Sequence, residues 1–272
     1  MEKIGLTRFI VIPVFLLFSS IFSQGLNIRS TLEIQDGIVY DPDTHRPLSD
    51  LAIEYYDNGL VKLRGHYSKG LTNGYWTFYY DNGQMEARGR YYMGQEENLQ
   101  GIPENGRAGK WTFWYNNGSK NKIGMYSNGN MDGNWTFWYR NGYKQTEGRY
   151  WNGKMHGKWI TWYSNGMKQE DGRYHMGFIE GKWTFWNTIG QVIEQGEYTG
   201  GMPLGIHTGW YGNGKKKWMV SYVLGKRNGL YTSWYENGQV EMSGDYSAGK
   251  RVDIWTFWDK KGKIREQISY PG

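Results

Sequence analysis

The chain of 272 residues contains no cysteine. This absence excludes disulfide bonds, lipid attachment through an N-terminal cysteine and thiol chemistry, so the fold must be stabilised by packing alone. Proline is scarce, at 6 residues, and no apolar run reaches the about 20 residues that a transmembrane helix needs. Alanine and leucine, which favour helices, are also few. A disulfide-stapled domain, a membrane-spanning bundle and a helical protein are therefore disfavoured.

Glycine and aromatic residues are abundant instead. The chain has 40 glycines, and 18% of its residues are Phe, Trp or Tyr. Glycine alternating with Trp and Tyr is typical of tight turns between short strands. The composition therefore predicts an all-β protein.

The N-terminus has a pattern of its own. Lys3 and Arg8 precede a short apolar run at residues 9–18, and small residues follow before Gln24. A basic start, a short apolar core and small residues near a cleavage site are typical of a secretory signal peptide. Residues 1–23 are therefore predicted to direct export, which places the protein in the periplasm, in the cell envelope or outside the cell.

The rest of the chain is dominated by a repeat of 24 residues, which we call a tile. Self-similarity at such a period is typical of a repeat array. After a lead-in strand and linker at 24–50, we predict about nine tiles over 51–272, with an insertion at 95–108 that forms a surface loop. That loop is interpreted either as tolerated drift or as a recognition loop. The glycines that mark the period are Gly142, Gly166, Gly190, Gly214, Gly238 and Gly262.

Each tile is predicted to form a β-hairpin. Residues 111–115 have high β-propensity, and Asn117-Gly118 favours a two-residue type I′ turn. That turn opposes Asn116 to Ser119 and places Trp111 opposite Gly124, where the missing side chain leaves room for the indole. The same spacing predicts the oppositions Trp135–Gly148, Trp159–Gly172 and Trp183–Gly196.

Alternation along the strands divides the side chains between two faces. In the tile that begins at Trp135, face A carries Trp135, Phe137, Tyr139, Gly148 and Tyr150. Face B carries Thr136, Trp138, Gln145 and Glu147. At a strand spacing of roughly 4.8 Å, the elongated sheet has a length on the order of 85 Å and must twist.

A fixed set of residues recurs from tile to tile, and in one tile it consists of Asn141, Gly142, Gly148, Tyr150, Gly153, Gly157 and Trp159. In these positions the tile resembles the MORN repeat variant, which occurs in tandem in bacterial proteins of the YwqK type, described as toxin–antitoxin antitoxins. The resemblance covers about residues 50–272 and implies an elongated array of β-hairpins. It also implies an interaction or membrane-associated module, or an antitoxin that binds a toxic partner protein.

The fourth position of the first strand of each tile is aromatic throughout. It lies on the polar face B, where rings roughly 10 Å apart form a candidate docking surface for a glycan, a peptide or another protein. The alternative interpretation is structural, because a repeat places the same residue in every tile and neighbouring rings shield the sheet. The cross-strand neighbours are predicted to be Glu86, Gln145, Gln169, Lys217, Glu241 and Arg265. The seven tryptophans, which we call the tryptophan ladder, are Trp114, Trp138, Trp162, Trp186, Trp210, Trp234 and Trp258.

The net charge of +6 is concentrated in residues 207–272, which hold 11 Lys and Arg against 6 Asp and Glu. The basic side chains fall on the two edges of the predicted sheet. We interpret them as solvated edges that oppose edge-to-edge association. The alternative is weak attraction to an anionic polysaccharide or lipid surface.

No pattern of catalysis or cofactor binding is present in the sequence. The five histidines, His45, His66, His156, His175 and His207, occupy different tile positions without metal-ligand spacing. Neither a phosphate loop nor a nucleophile elbow occurs, and an exported chain whose residues 24–206 are nearly neutral does not favour nucleic acid. The sequence therefore predicts a non-enzymatic scaffold without metal or cofactor, whose partner is a protein or the envelope surface.

Overall fold

The computed structural model describes residues 32–95 and 101–272, together with the backbone of 26–28. The predicted signal peptide at 1–23 and residues 96–100 of the insertion lie outside the described residues. Every regular element of the described residues is a strand. In chain order the strands are β1 (Leu26–Ile28), β2 (Glu33–Gln35), β3 (Ile38–Tyr40), β4 (Leu51–Tyr55), β5 (Val61–Ser68), β6 (Leu71–Tyr79), β7 (Met85–Gly94), β8 (Arg107–Trp114), β9 (Lys120–Ser127), β10 (Asn130–Trp138), β11 (Lys144–Trp151), β12 (Lys154–Trp162), β13 (Lys168–His175), β14 (Phe178–Trp186), β15 (Val192–Thr199), β16 (Met202–Trp210), β17 (Lys216–Val223), β18 (Lys226–Trp234), β19 (Val240–Ser247), β20 (Lys250–Trp258) and β21 (Ile264–Tyr270).

Strands β4 to β21 form one antiparallel meander, in which each strand pairs with the next along the chain. Strand β1 adds to β4 in parallel, which makes a sheet of 19 strands that is not closed. Strands β2 and β3 form a separate hairpin. The predicted all-β array of tandem hairpins is confirmed.

The turn of a regular hairpin is longer than predicted. Between β8 and β9, Tyr115 N donates to Ser119 O at 2.8 Å, and Gly118 N donates to Tyr115 O at 2.9 Å. Gly118 has a φ of 81°, and Asn117 is not among the residues with positive φ. This is a type I turn followed by a left-handed glycine, since a type I′ turn needs positive φ at both central residues. The predicted opposition of Asn116 to Ser119 is therefore wrong.

A bulge in the return strand restores the predicted register further from the turn. Phe113 pairs with Lys122 whereas Trp114 pairs with Lys120, so one residue of β9 has no counterpart. Beyond the bulge, Trp111 faces Gly124 as predicted. The other predicted oppositions, Trp135–Gly148, Trp159–Gly172 and Trp183–Gly196, are also confirmed.

Each of these glycines accommodates a ring of the following tile, which is an indole over Gly124, Gly148 and Gly172 and the His207 imidazole over Gly196. Gly148 also faces Trp159 of β12, and a Cβ on Gly148 would lie 2.1 Å from Cδ2 of Trp159. Trp159 Nε1 donates to Arg149 O at 3.1 Å, which lays the ring across the preceding strand. The prediction that Gly124 makes room for Trp111 is therefore corrected, because the ring over Gly124 comes from the next hairpin.

Face A is closed by its own rings. Trp135, which is 1% exposed, packs edge-on against Tyr126 and Tyr150, with ring centroids 5.0 and 6.3 Å away. It also stacks on Phe137 at 5.8 Å. Aromatic pairs in these arrangements contribute about 0.5–1.5 kcal/mol beyond their buried area. The predicted association of Trp135, Phe137 and Tyr150 on one face is confirmed.

The lead-in covers the N-terminal end of face A. The predicted strand Ile38–Tyr40 is β3, and Val39 is fully buried in the cluster that contains Trp76. Val39 N donates to Gly70 O at 2.9 Å, which attaches the lead-in hairpin to the array. In the turn that follows β3, the backbone N–H of Thr44 is the main cause of a lowered pKa of Asp41.

The insertion packs against the same end of the array. Arg107, which is 6% exposed, donates from Nε to Pro103 O at 2.8 Å and from Nη2 to Ile102 O at 3.0 Å. Its guanidinium lies 5.2 Å from the ring centroid of Trp111. The last two residues of the predicted surface loop, 107 and 108, belong to β8, and residues 101–106 are held against the core by the buried Arg107.

Two side-chain hydrogen bonds connect each regular hairpin to the next at the turn edge, and we call each such pair a turn clamp. Tyr139 Oη donates to Trp162 O, and Asn141 Nδ2 donates to Ser164 O, both at 2.8 Å. The other clamps begin at Tyr56 and Asn58, Tyr80 and Asn82, Tyr115 and Asn117, Tyr163 and Asn165, Tyr211 and Asn213, and Tyr235 and Asn237.

Candidate interaction surface

The tryptophan ladder runs along face B, and each of its rings is half-buried. Trp138 faces Lys144, and Trp162 faces Lys168. The predicted neighbours lie one residue further along the return strand and are wrong, because the longer turn shifts the pairing near it by one residue. The displaced residues, which stand in the bulges, are Glu86, Gln145, Gln169, Lys217, Glu241 and Arg265.

Lysines alternate with several rings of the ladder. Lys144, which faces Trp138 in its own hairpin, places its Nζ 5.6 Å from the ring centroid of Trp162 in the next. A cation over an exposed indole contributes about 0.5–1 kcal/mol. Each lysine therefore connects two neighbouring hairpins. The equivalent contacts are Lys120 over Trp138 at 5.8 Å, Lys168 over Trp186 at 4.8 Å and Lys216 over Trp234 at 5.8 Å.

Carboxylates partner two of these lysines. Lys144 Nζ lies 2.8 Å from Glu147 Oε2, and Lys168 Nζ lies 2.9 Å from Asp171 Oδ2. Exposed ion pairs of this kind stabilise weakly, so their main effect is to hold each ammonium over its ring. Where a lysine covers the indole, the ring also connects two hairpins and so has a structural role besides its place on face B.

The repeat residues that carry the resemblance have structural positions. Gly142, Gly153 and Gly157 have φ values of 90°, 77° and 75°, which side chains with a Cβ adopt only under strain. Tyr150 packs edge-on against Trp159 at 5.0 Å, and burial raises the pKa of its phenol. These residues shape the tile and do not form a site that faces solvent.

Two arginines of the predicted solvated edge pack on face A instead. The Arg251 guanidinium lies 4.2 Å from the ring centroid of Trp255, and Arg251 Nη1 donates to Tyr270 Oη at 3.1 Å. Arg227 Nη1 donates to Tyr246 Oη at 3.2 Å. Sequence spacing did not reveal these contacts, because each partner tyrosine is 19 residues away and meets its arginine through the strand pairing.

Two histidines that the sequence separates are neighbours in the sheet. The ring centroids of His156 and His175 are 5.4 Å apart, and Trp151 packs against His156 at 5.2 Å. Within the described ranges, no group of three or more His, Cys, Asp and Glu side chains converges to hold a metal ion.

The same part of the chain contains no helix that could cross a membrane.

Comparison with known proteins agrees with the hairpin periodicity. The family model for the MORN repeat variant matches residues 72–92, 155–175 and 227–248. Each match spans one hairpin: β6–β7, β12–β13 or β18–β19. The comparison with curated proteins found no match.

Among solved structures, the chain is similar to parts of much longer chains. The TcdB2–TccC3–Cdc42 crystal structure is 11% identical with a TM-score of 0.21, and the match covers 85% of this chain and 14% of that one. The Photorhabdus luminescens Tc holotoxin pore with a mutated TccC3 is 12% identical with a TM-score of 0.18, at 85% and 14% coverage. The chain thus spans about one seventh of each of those chains. The protein itself is a β-hairpin repeat scaffold in which three hairpins match the MORN repeat variant.

Proposed function

We propose that the protein is an exported, non-enzymatic scaffold whose sheet binds a partner protein at the cell envelope. The observation that carries this proposal is the unbroken antiparallel pairing from β4 to β21, in which one tile follows another without a second layer of helices. An array of this kind presents an extended surface and is typical of proteins that bind other macromolecules. An anionic polysaccharide or lipid surface is the other partner class that the basic C-terminal region suits.

Face B is the surface that we assign to the partner. Face A is closed by its own rings, since Trp135, Trp159 and Trp183 are 1–3% exposed. The ladder on face B is only half-buried and is flanked by polar side chains. Half-exposed tryptophans beside polar groups are frequent at protein interfaces because they bury apolar area and still donate a hydrogen bond.

The experiment is a pull-down from an envelope fraction with the mature chain as bait. A triple variant, Trp138→Thr, Trp162→Thr and Trp186→Thr, keeps β-propensity and removes the middle of the ladder. We expect it to remain folded by circular dichroism and to lose the partner that the wild type captures. The matched control replaces three exposed face-B residues, Arg149, Lys158 and Arg173, by Thr. Equal capture by both variants contradicts the assignment to the ladder.

Export is tested separately by fractionating cells that produce the full chain. Because residues 1–23 are predicted to be a signal peptide, we expect the mature chain in the periplasmic or secreted fraction. If the chain stays in the cytosol and a small toxic protein encoded next to its gene co-purifies with it, this proposal is wrong. The chain would then act in the alternative role, as a YwqK-type antitoxin that binds a toxic partner.

A further inference from the structure

One boundary in the array departs from the repeat at several positions. In the tile of β14 and β15, Asn187 occupies the tyrosine position of the turn clamp, and Ile189 occupies its asparagine position. Val192 occupies the position of the ladder lysine, and His207 replaces the tryptophan that opens the next tile. The packing of a repeat explains why the same residues recur in every tile. Where several of these residues are replaced close together, the replacements need a separate physical reason.

Two open clefts lie on face B at this boundary, and one of the departures, Val192, lines the larger of them. The larger has a volume of about 540 Å³ and is lined by Gln191, Val192, Gln195, Trp210 and Asn213 together with two glycines. The smaller, of about 390 Å³, continues along the sheet, and Gln195 and Trp210 line it together with the charged side chains Lys182 and Glu197. We call the larger of the two the Trp210 cleft. Its size suits a small ligand that lies along the face of one indole.

Val192 leaves the Trp210 ring without a lysine over it, as Val240 does for Trp258. One tile earlier, Lys168 places its ammonium 4.8 Å from the ring centroid of Trp186. The corresponding side chain before Trp210 is Val192, which is too short and carries no charge. Among the cation–ring contacts of the described residues, none involves Trp210. Gly212, which lines the larger cleft, adds no side chain above the ring.

Carboxamides supply the polar groups of the larger cleft. Gln191 Oε1 accepts from Asn187 Nδ2 at 3.0 Å, and Gln195 Nε2 donates to Thr184 Oγ1 at 2.9 Å. These bonds orient both amides, and they leave the NH₂ group of Gln191 as a donor and the carbonyl of Gln195 as an acceptor. No charged side chain lines the larger cleft. The chemistry therefore suits a neutral ligand that both donates and accepts hydrogen bonds.

We propose that the Trp210 cleft binds a neutral saccharide, with the apolar C–H face of one sugar ring on the indole and its hydroxyls on Gln191 and Gln195. A sugar ring combines one apolar face with hydroxyls that donate and accept, which matches an open indole between carboxamides. Because no cation or carboxylate lines the larger cleft, an anionic or cationic ligand would leave its charge unpaired there. The proposal rests on the proposed role as a binding scaffold and names one ligand class for it.

The test measures binding of three neutral trisaccharides, chitotriose, cellotriose and maltotriose, by calorimetry and tryptophan fluorescence. We expect the wild-type mature chain to bind at least one of them with a Kd below about 10 mM, in the range of weak single-site ligands. The informative variant is Val192→Lys, which supplies the ammonium that covers the indole in other tiles. It should weaken binding at least about tenfold without lowering the melting temperature.

The matched control is Val240→Lys, which makes the same change before Trp258. That ring has Lys260 and Lys261 where Trp210 has Gly212 and Asn213, so this control should leave sugar binding unchanged. A second variant, Trp210→Ala, should abolish binding, with its fold checked by circular dichroism. Absence of binding to all three sugars, or unchanged binding by Val192→Lys, overturns the proposal.

The outcome is separable from that of the envelope pull-down. Val192→Lys leaves Trp138, Trp162 and Trp186 intact, so a protein partner held by the middle of the ladder should still be captured. Loss of sugar binding with retained capture supports a separate saccharide site. Capture without any sugar binding overturns the saccharide site and leaves the scaffold role in place.

Discussion

Gly148 shows at the scale of one residue why glycine recurs in the return strand of the hairpins. It faces Trp135 within its own hairpin and Trp159 in the next, and the ring of Trp159 lies directly over its Cα. That ring cannot move away, because it is 3% exposed and its Nε1 bonds to the Arg149 carbonyl. The glycine is therefore a packing requirement between tiles.

We expect Gly148→Ala to destabilise the protein by about 1–3 kcal/mol, the usual cost of overpacking a filled site. The added Cβ would lie 2.1 Å from the Trp159 ring, well inside van der Waals contact. Thermal and urea melts measure the change. Gly212→Ala is the control, since its Cβ would only approach a flexible glutamine side chain at 3.3 Å. Equal stability of the two variants would argue against the packing account.

At the scale of the element, the turn clamps decide how firmly one hairpin is attached to the next. Seven hairpins donate a tyrosine hydroxyl to the following hairpin, and each clamp lies at a turn edge that is open to water on one side. The hairpin β14–β15 has Asn187 and Ile189 there, and Asn187 instead donates to Gln191 within the same turn. The boundary between β15 and β16 thus lacks the clamp and retains its backbone pairing and the bond between His207 Nε2 and Glu197 O.

Restoring the clamp should strengthen this boundary. The double variant Asn187→Tyr and Ile189→Asn supplies donors for the carbonyls of Trp210 and Gly212, by analogy with Tyr163 and Asn165. Two added hydrogen bonds should stabilise the chain by about 1–3 kcal/mol. Amide hydrogen exchange should slow mainly in β15 and β16. The reverse change, Tyr163→Phe with Asn165→Ala, is the control and should destabilise the chain by a similar amount. No change in either variant would show that the clamps contribute little.

At the scale of the whole molecule, the repeat places many tyrosines in similar surroundings, so their phenols titrate in a similar way. Burial is the first cause of a raised pKa for eight phenols spread over the array, so the folded chain holds these protons more tightly than the unfolded chain, in which the pKa of tyrosine is about 10. The stability they contribute is complete below that pH and is lost as the pH rises through the raised pKa values. The eight are Tyr56, Tyr80, Tyr126, Tyr150, Tyr174, Tyr198, Tyr211 and Tyr231.

We therefore expect the melting temperature to fall much more steeply above about pH 10 than between pH 8 and 9. Melts followed by circular dichroism across this range provide the measurement. Tyr174→Phe removes one of the buried titrations and should reduce the slope. Tyr143→Phe, at a side chain that is 55% exposed, is the matched control and should leave it unchanged. A flat profile up to pH 11 would contradict this expectation.

The outer part of each hairpin was predictable from the sequence, whereas the part near the turn was not. A fixed spacing of Trp and Gly identified oppositions such as Trp135 with Gly148, because strand pairing has a period of two and admits few registers. The spacing cannot distinguish a two-residue turn from a three-residue turn followed by a bulge, since both give the same register beyond the bulge. For this reason, the predicted neighbours of the ladder, such as Gln145 for Trp138, were wrong by one residue.

The sequence alone determined the all-β class, the 24-residue period and the placement of the ladder on one face, because these depend on local propensity and alternation along one strand. The tertiary structure decided which hairpin uses each glycine, which rings lie under a lysine and where the array is open. Those properties depend on contacts between tiles, and groups 10 to 34 residues apart meet only when neighbouring strands pair. Trp210 and Trp186 occupy the same place in the sequence pattern, and only the residues above their rings distinguish them.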